Sequence, residues 1–225
     1  MKQKSALEAL KYIRDGMIVG LGGGSTVGYL VKYLREKQIA VQIVTPSYQT
    51  AQLCMKHHLQ VIPTWSVDHI DIAFDGCDEV DLQFNALKSG GAIHAKEKII
   101  ASMADYYVLL VDESKVFETL PFHHSVTLEV IPEAMNYVKK QVQAMGAQVT
   151  FRTSSAKDGY TISDHGNFIM EAKFDDVQDI FKLNQDLNNT VGIVDTSLFV
   201  GITSFVISVD ADLHVRVLKR KENII

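Results

Sequence analysis

Cysteine is scarce: Cys54 and Cys77 are the only two in 225 residues. They lie far apart and form no Cys-x-x-Cys pattern, which argues against a disulfide framework and a zinc knuckle and makes a reducing, cytoplasmic setting the expectation. Long apolar runs are missing too. None approaches the ~20 residues of a spanning helix, and the opening Met-Lys-Gln-Lys-Ser leads into an amphipathic pattern instead of a signal-peptide core. Positive charge is in deficit, with 22 Lys+Arg against 27 Asp+Glu and a net charge of -5. The chain therefore has no broad cationic field for a nucleic-acid backbone or an anionic membrane, and an anionic ligand must be captured locally. Internal repeats, low-complexity tracts and long linkers are absent. His94 and the pairs His57-His58 and His123-His124 lack ligand spacing with a third partner, so they predict no metal site.

What remains is 47% hydrophobic, enough to build a substantial core. A helical face runs from residue 5 to 14, a short apolar strand covers 17–21, and Gly22-Gly23-Gly24-Ser25-Thr26 leads straight into a second helical pattern. Strands follow at 40–45, near 61–62 and at 70–74, the last apolar at most positions, as buried parallel strands are. A helix from 94 to 103 and a strand from 106 to 111 continue the alternation. This predicts an α/β fold with a doubly wound, mostly parallel, Rossmann-like sheet. Past Phe122 the pattern changes to strand-helix-strand-strand-helix-strand, at 126–131, 132–145, 149–152, 168–172, 177–187 and 191–194. That order belongs to a second, smaller, ferredoxin-like α+β domain. A hairpin at 205–209 and 213–218 is expected to return to the first sheet. The expected division is residues 1–125 plus 203–225 for the larger domain and 126–202 for the smaller. No role is assigned to the loop 154–159, and Trp65 reads as a core or interface residue.

In a doubly wound sheet, ligands gather beyond the carboxyl ends of the strands, where two motifs fall. Consecutive glycines ahead of a helix offer backbone N–H groups to an anion, with the Ser25 and Thr26 hydroxyls as further donors. The loop is neither a P-loop, having no Gly-Lys-Ser/Thr, nor a good dinucleotide fingerprint. After the 70–74 strand comes Asp75-Gly76-Cys77-Asp78-Glu79-Val80-Asp81. Asp75 and Asp78 are spaced to accept hydrogen bonds from vicinal sugar hydroxyls, and are also close enough to share a divalent cation such as magnesium. Most acidic clusters are solvated turns; this one ends an apolar strand and is followed by Lys88-Ser89-Gly90-Gly91, a lysine and free amides suited to an oxygen that turns negative during reaction. Glu97, between Lys96 and Lys98 on the 94–103 helix, reads in isolation as an exposed charge-paired residue.

Taken together, Gly-x-Gly-Gly-Gly-Ser-Thr at 20–26, Asp-Gly-Cys-Asp-Glu-Val at 75–80, Lys-Ser-Gly-Gly-Ala at 88–92 and Lys-Glu-Lys-Ile-Ile-Ala at 96–101 resemble the ribose-5-phosphate isomerases of type A. Glu129-Val130-Ile131-Pro132, Asp164-His165-Gly166-Asn167-Phe168-Ile169 and Val191-Gly192-Ile193-Val194 extend the resemblance over nearly the whole chain. The resemblance implies an aldose-ketose isomerase, acting on a sugar phosphate with no cofactor or metal, that assembles as a homodimer or higher homo-oligomer. It implies that Glu97 is the general base, that Asp75 and Asp78 orient hydroxyls, and that Lys88 steadies an enediolate. Substrate binding is implied for Gly23, Gly24, Ser25, Thr26, Gly76, Cys77, Ser89, Gly90 and Gly91. Three positions depart from the family pattern. Gly23 stands where a threonine is usual, Ser89 stands where a glycine would permit positive φ, and His123 is nearest a position usually held by lysine. His123 is therefore a substrate-binding candidate whose charge depends on pH. The alternatives are an isomerase for another phosphorylated aldose and a non-catalytic sugar-phosphate sensor.

Overall fold

The computed structural model describes residues 1–219, so residues 220–225 of the expected larger domain lie outside the described residues. Helix α1 (Lys2–Leu10) buries Ala6 and Ala9. It stops short of the 5–14 expectation: residues 11–13 close as turns, and Gly16 adopts φ +85°. There follow β1 (Ile18–Leu21), α2 (Ser25–Glu36), β2 (Gln42–Val44), α3 (Tyr48–Lys56), β3 (Gln60–Val61) and β4 (Ile70–Asp75). Next come β5 (Glu79–Asp81), β6 (Ala86–Leu87), α4 (His94–Met103), β7 (Ala104–Asp112) and β8 (Val116–Phe117). The chain continues through β9 (Val126–Val130), α5 (Met135–Ala144), β10 (Gln148–Phe151), β11 (Thr153–Ser154), β12 (Lys157–Tyr160), β13 (Phe168–Lys173), α6 (Ile180–Asn188) and β14 (Ile193–Thr196). It closes with β15 (Leu198–Phe199), β16 (Phe205–Val209) and β17 (Val215–Lys219).

The main sheet runs β17-β16-β7-β4-β1-β2-β3. Every pairing is parallel except that of β17 with β16. This is the doubly wound order, with its reversal between β1 and β4, and the C-terminal hairpin joins it as expected. Apolar side chains fill both faces: Ala6, Val27, Leu30 and Leu34 pack with Ile43 and Ile72 on one, and Ile100 and Ala101 of α4 pack with Ala73 and Leu109 on the other. Strands β1 and β4 approach so closely that a Cβ on Gly20 would lie 2.6 Å from that of Ala73.

A second sheet, β10-β13-β9-β14, is antiparallel throughout, the ferredoxin-like order. Two features go beyond the sequence reading. Strands β5, β6, β8 and β15 form a third sheet in the order β15-β6-β5-β8, built from pieces of two or three residues that are too short to carry a period. Residues 154–159, read as a loop, belong to the β11–β12 hairpin. Of the two places expected for Trp65, the core is excluded: it is 87% exposed, on a single 3-10 turn (Thr64–Ser66).

Candidate active site

The site forms at the sheet's reversal, where β1 and β4 release their chains side by side. The Gly22 N–H donates to Phe74 O at 2.9 Å, carrying the ladder one residue beyond β1. A Cβ on Gly22 would fall 2.0 Å from Asp75 Oδ1, so this position must be glycine for the carboxylate to occupy its place. Gly24 takes φ +90° and is the N-cap of α2. From α3, the Thr50 hydroxyl donates to Gly22 O at 2.8 Å and fixes the glycine loop from behind.

Asp75 is the last residue of β4 and is 4% exposed. Its Oδ1 accepts from the Gly76 N–H at 2.8 Å. Its Oδ2 lies 3.0 Å from Lys88 Nζ and 3.4 Å from the Tyr107 hydroxyl. The β5–β6 hairpin brings Lys88 back to this point, aided by the Asp78 N–H donating to Leu87 O at 2.9 Å. The ammonium donates to Gly76 O at 2.5 Å and stands 3.4 Å from Glu97 Oε1. Glu97 comes from the first turn of α4 and is 7% exposed. A carboxylate, an ammonium and a second carboxyl are thus sealed together.

Burial and the Asp75 charge push the Glu97 carboxyl up to about 8, with Lys88 opposing. Burial alone would weaken the hold of Lys88 on its proton, but Asp75 and then Glu97 outweigh it and hold the ammonium charged well above the usual lysine range. Burial also raises the Cys77 thiol to about 12, which keeps it protonated and a poor nucleophile. A group that exchanges a proton near neutrality, beside one that never gives its proton up, is an arrangement for general acid–base chemistry with charge stabilisation.

Asp78 is a clamp on the opposite wall. Its Oδ2 accepts from the backbone N–H of Ser89 at 2.7 Å and of Gly90 at 3.2 Å. The positive φ angles of this turn fall on Gly91 (+71°) and Ala92 (+56°), not on Ser89, so the serine imposes no strain there. The walls enclose a cavity of about 360 Å³. Ten of the fourteen sequence candidates line it: Gly23 and Gly24, Asp75 to Asp78, Lys88, Gly90, Gly91 and Glu97, with Ile93 beside them. Ser25 and Thr26 lie just beyond, in the first turn of α2, and Ser89 supports the lining from behind. His123 is not brought in: its ring is exposed, edge-on to Phe117 at 5.7 Å. A larger open cleft of about 600 Å³ near Arg35, Gln42 and His58 lies at the opposite ends of the strands, and its described lining contains no carboxylate. Among the described residues, no group of three or more His, Cys, Asp or Glu is arranged to hold a metal ion.

Two further segments of the sequence motifs meet at a second point. Buried Glu129 accepts from Ser163 Oγ and Asn167 Nδ2, each at 2.7 Å. The lysines beside Glu97 tie α4 down: Lys96 to Asp164 at 2.6 Å, and Lys98 to Asp195 Oδ1 at 2.7 Å and to Thr196 O at 2.6 Å. Within α4, burial pushes His94 down to about 4, so it packs as a neutral ring 3.3 Å from Asp195 O. Sequence reasoning missed Tyr107, whose apolar strand context hid a hydroxyl aimed at Asp75.

Fold and site together define a doubly wound α/β protein with a buried acid–base centre at its topological switch point. The sequence model of the family ribose 5-phosphate isomerase A (phosphoriboisomerase A) matches residues 42–212. Ribose-5-phosphate isomerase A of Methanothermobacter thermautotrophicus is 40% identical over 212 residues, 92% of this chain and 93% of that protein. The protein of the same name from Trichodesmium erythraeum is 36% identical over 217 residues, 94% of this chain and 92% of that protein. Among solved structures, a D-ribose-5-phosphate isomerase in complex with phospho-erythronic acid superposes with a TM-score of 0.92 at 36% identity, covering 97% of both chains. The ribose 5-phosphate isomerase A of Methanocaldococcus jannaschii gives 0.90 at 32% identity over 97% of this chain and 98% of that one. The chain belongs to the ribose-5-phosphate isomerase A family.

Proposed function

We propose that the protein interconverts ribose 5-phosphate and ribulose 5-phosphate. The observation that carries this reading is the buried Asp75–Lys88–Glu97 cluster opening onto the same cavity as the Gly23-Gly24 loop. With the open-chain aldose in the cavity, the Glu97 carboxylate removes the C2 proton. The electron pair moves into the C1–C2 bond, and the negative charge comes to rest on the former aldehyde oxygen. The Lys88 ammonium and the Gly91 amide face that charge, while the Gly90 N–H holds Asp78. The C2 hydroxyl proton passes to the C1 oxygen, Glu97 delivers its proton to C1, and the charge left on the C2 oxygen closes to the ketone carbonyl, so Glu97 is regenerated as the carboxylate and no proton or electron is lost over the cycle. The amides of the Gly23 to Thr26 loop and the start of α2 receive the phosphate. The free Oδ1 of Asp78 and the rim of Asp75 orient the sugar hydroxyls. Neither His123 nor the Ser89 hydroxyl has a direct role in this scheme.

The reading extends to organisation: a larger unit of residues 1–125 plus 203–225, a smaller one of 126–202, assembly as a homodimer or higher oligomer, and residence in the cytoplasm. No described helix is long and apolar enough to cross a membrane. Light scattering on the eluting protein would give at least twice the chain mass.

The decisive experiment is turnover of ribose 5-phosphate by purified protein in excess EDTA, with Glu97→Gln as control. Absence of turnover, or full turnover by the variant, overturns the assignment. Comparing pentose and hexose phosphates separates this reaction from isomerisation of another aldose. Thermal stabilisation by ribose 5-phosphate without turnover identifies a sensor.

A further inference from the structure

Every polar atom of Ser89 is engaged. Its N–H donates to Asp78 Oδ2 at 2.7 Å, its hydroxyl donates to Ser125 O, and its carbonyl accepts from Arg152 Nη2 at 2.6 Å. The Thr127 hydroxyl also lies 3.1 Å from that carbonyl and accepts from the same Nη2 at 3.1 Å. Arg152 sits beside β10 of the antiparallel sheet, 63 residues along the chain from its target. Its own backbone is locked, N–H to Ile169 O at 2.9 Å and carbonyl to the Thr161 N–H at 2.7 Å. Its Nε donates to Glu171 Oε1 at 2.5 Å, which fixes the plane of the guanidinium. A rigid fork therefore reaches out of one sheet to grip one carbonyl in the wall of a cavity built on another.

The grip matters because of what lies at the other end of that peptide unit. The Ser89 carbonyl and the Gly90 N–H share one plane, and the Gly90 N–H belongs to the cavity wall, where Asp78 Oδ2 holds it at 3.2 Å. Arg152 and Asp78 thus fix the two ends of a single peptide group. A cationic donor at the carbonyl also draws electron density from the amide, which strengthens the bond of that N–H to Asp78.

We propose that Arg152 is a positioning residue of the isomerase reaction: through the Ser89 carbonyl it orients and polarises the Ser89–Gly90 peptide, whose N–H holds the Asp78 carboxylate in the cavity wall. The inference rests on the isomerase reading. Arg152 is outside the cavity lining. The antiparallel sheet thereby contributes to the chemistry without contributing a residue to the cavity.

The test compares the unaltered chain with Arg152→Met, Arg152→Lys and Thr127→Val, each Arg152 variant also paired with Glu171→Gln so that no carboxylate is left unpaired. Steady-state rates with ribose 5-phosphate and inhibition by phospho-erythronic acid are measured well below the melting temperature. Arg152→Met is expected to lower kcat about 10²-fold, the effect of a wall displaced by roughly 1 Å, with KM changed by less than about threefold. Affinity for phospho-erythronic acid, whose planar carboxylate imitates the enediolate, should fall with kcat, because a displaced Asp78 no longer holds the sugar hydroxyls in the geometry the transition state requires. The lysine variant should recover part of the loss, since it restores the charge without the fork. Thr127→Val removes one contact to the same carbonyl and is expected to cost roughly fivefold in kcat, which keeps the question answerable if Arg152→Met does not fold. A raised KM with unchanged kcat would mean that Arg152 acts on the substrate, and a lowered melting temperature with kcat within twofold would mean that it only holds the sheets together. Either result overturns the inference while leaving the isomerase reading intact. An inactive unaltered chain overturns the isomerase reading, and the inference with it.

Discussion

Glu97 has the weakest claim of any candidate when only its neighbours in the chain are considered, because two flanking lysines on a helix signal a solvated, ion-paired face. The structure reverses that signal: Lys96 and Lys98 are both drawn away to carboxylates on other segments, and Glu97 between them is 7% exposed. No periodicity could show this, since the partners at 164 and 195 lie about 70 and 100 residues away. The same burial sets the proton affinity. We expect Glu97→Gln to lower kcat by about 10²–10⁴-fold, the usual worth of a positioned base, while the variant remains folded by circular dichroism. In the free protein, kcat/KM should rise with pH as Glu97 loses its proton, with a midpoint near 8. Because the Asp75 charge raises that midpoint, Asp75→Asn should move it downward, whatever it does to the maximal rate. Stability carries the opposite sign. The folded-state pKa of Glu97 lies above its unfolded value of 4.5, so its contribution is fully present below pH 4.5 and fades as pH rises through about 8. Glutamine does not titrate, and the melting temperature of Glu97→Gln relative to the unaltered chain should therefore increase between pH 5 and pH 9.

The elements that carry the site differ in how plainly the sequence announced them. Helix α4 was readable to the residue, and β1 and β4 nearly so, because buried parallel strands and an amphipathic helix leave long, regular signatures. Strands β5, β6, β8 and β15 left none: at two or three residues each they have no period, and their pairing is settled by tertiary contact. Yet it is this sheet that turns the chain so that Lys88 meets Asp75. The glycine loop was legible as a cradle, but not which of its glycines is sterically required. A methyl group on Gly22 would collide with the Asp75 carboxylate at 2.0 Å, whereas one on Gly23 would meet nothing nearer than Ser47 Cβ at 4.0 Å. Gly22→Ala should therefore destabilise by about 1–3 kcal/mol, the usual cost of overpacking, and should depress kcat/KM by displacing Asp75. Gly23→Thr, which introduces the residue more usual in the family, should leave the melting temperature nearly unchanged. Thermal denaturation and steady-state kinetics on the two variants check both. Arg152 went unnoticed because one arginine in a strand pattern is unremarkable until the other sheet is seen beside it.

The molecule as a whole was legible at the level of its two principal sheets, whose alternations differ in kind and change over near residue 122. The third sheet, and the closeness with which α4 is bound to the loop at 164 and to β14, were not. A chain ending at residue 204 would lack β16 and β17. We expect it to lose cooperative melting and to aggregate, which calorimetry and size-exclusion chromatography would reveal. The reason is the strand order: β16 covers the edge of β7 and Phe205 packs on Tyr12 of the N-terminal segment at 5.0 Å, so the last strands close a sheet that the first residues began. That order has a consequence for biosynthesis. While the antiparallel sheet is being translated, the larger sheet waits on the ribosome with the hydrogen-bonding edge of β7 unpaired and its apolar flank open, the state in which chains associate with one another or with chaperones. The nascent chain can complete its main sheet only once β16 and β17 have been made and have cleared the exit tunnel.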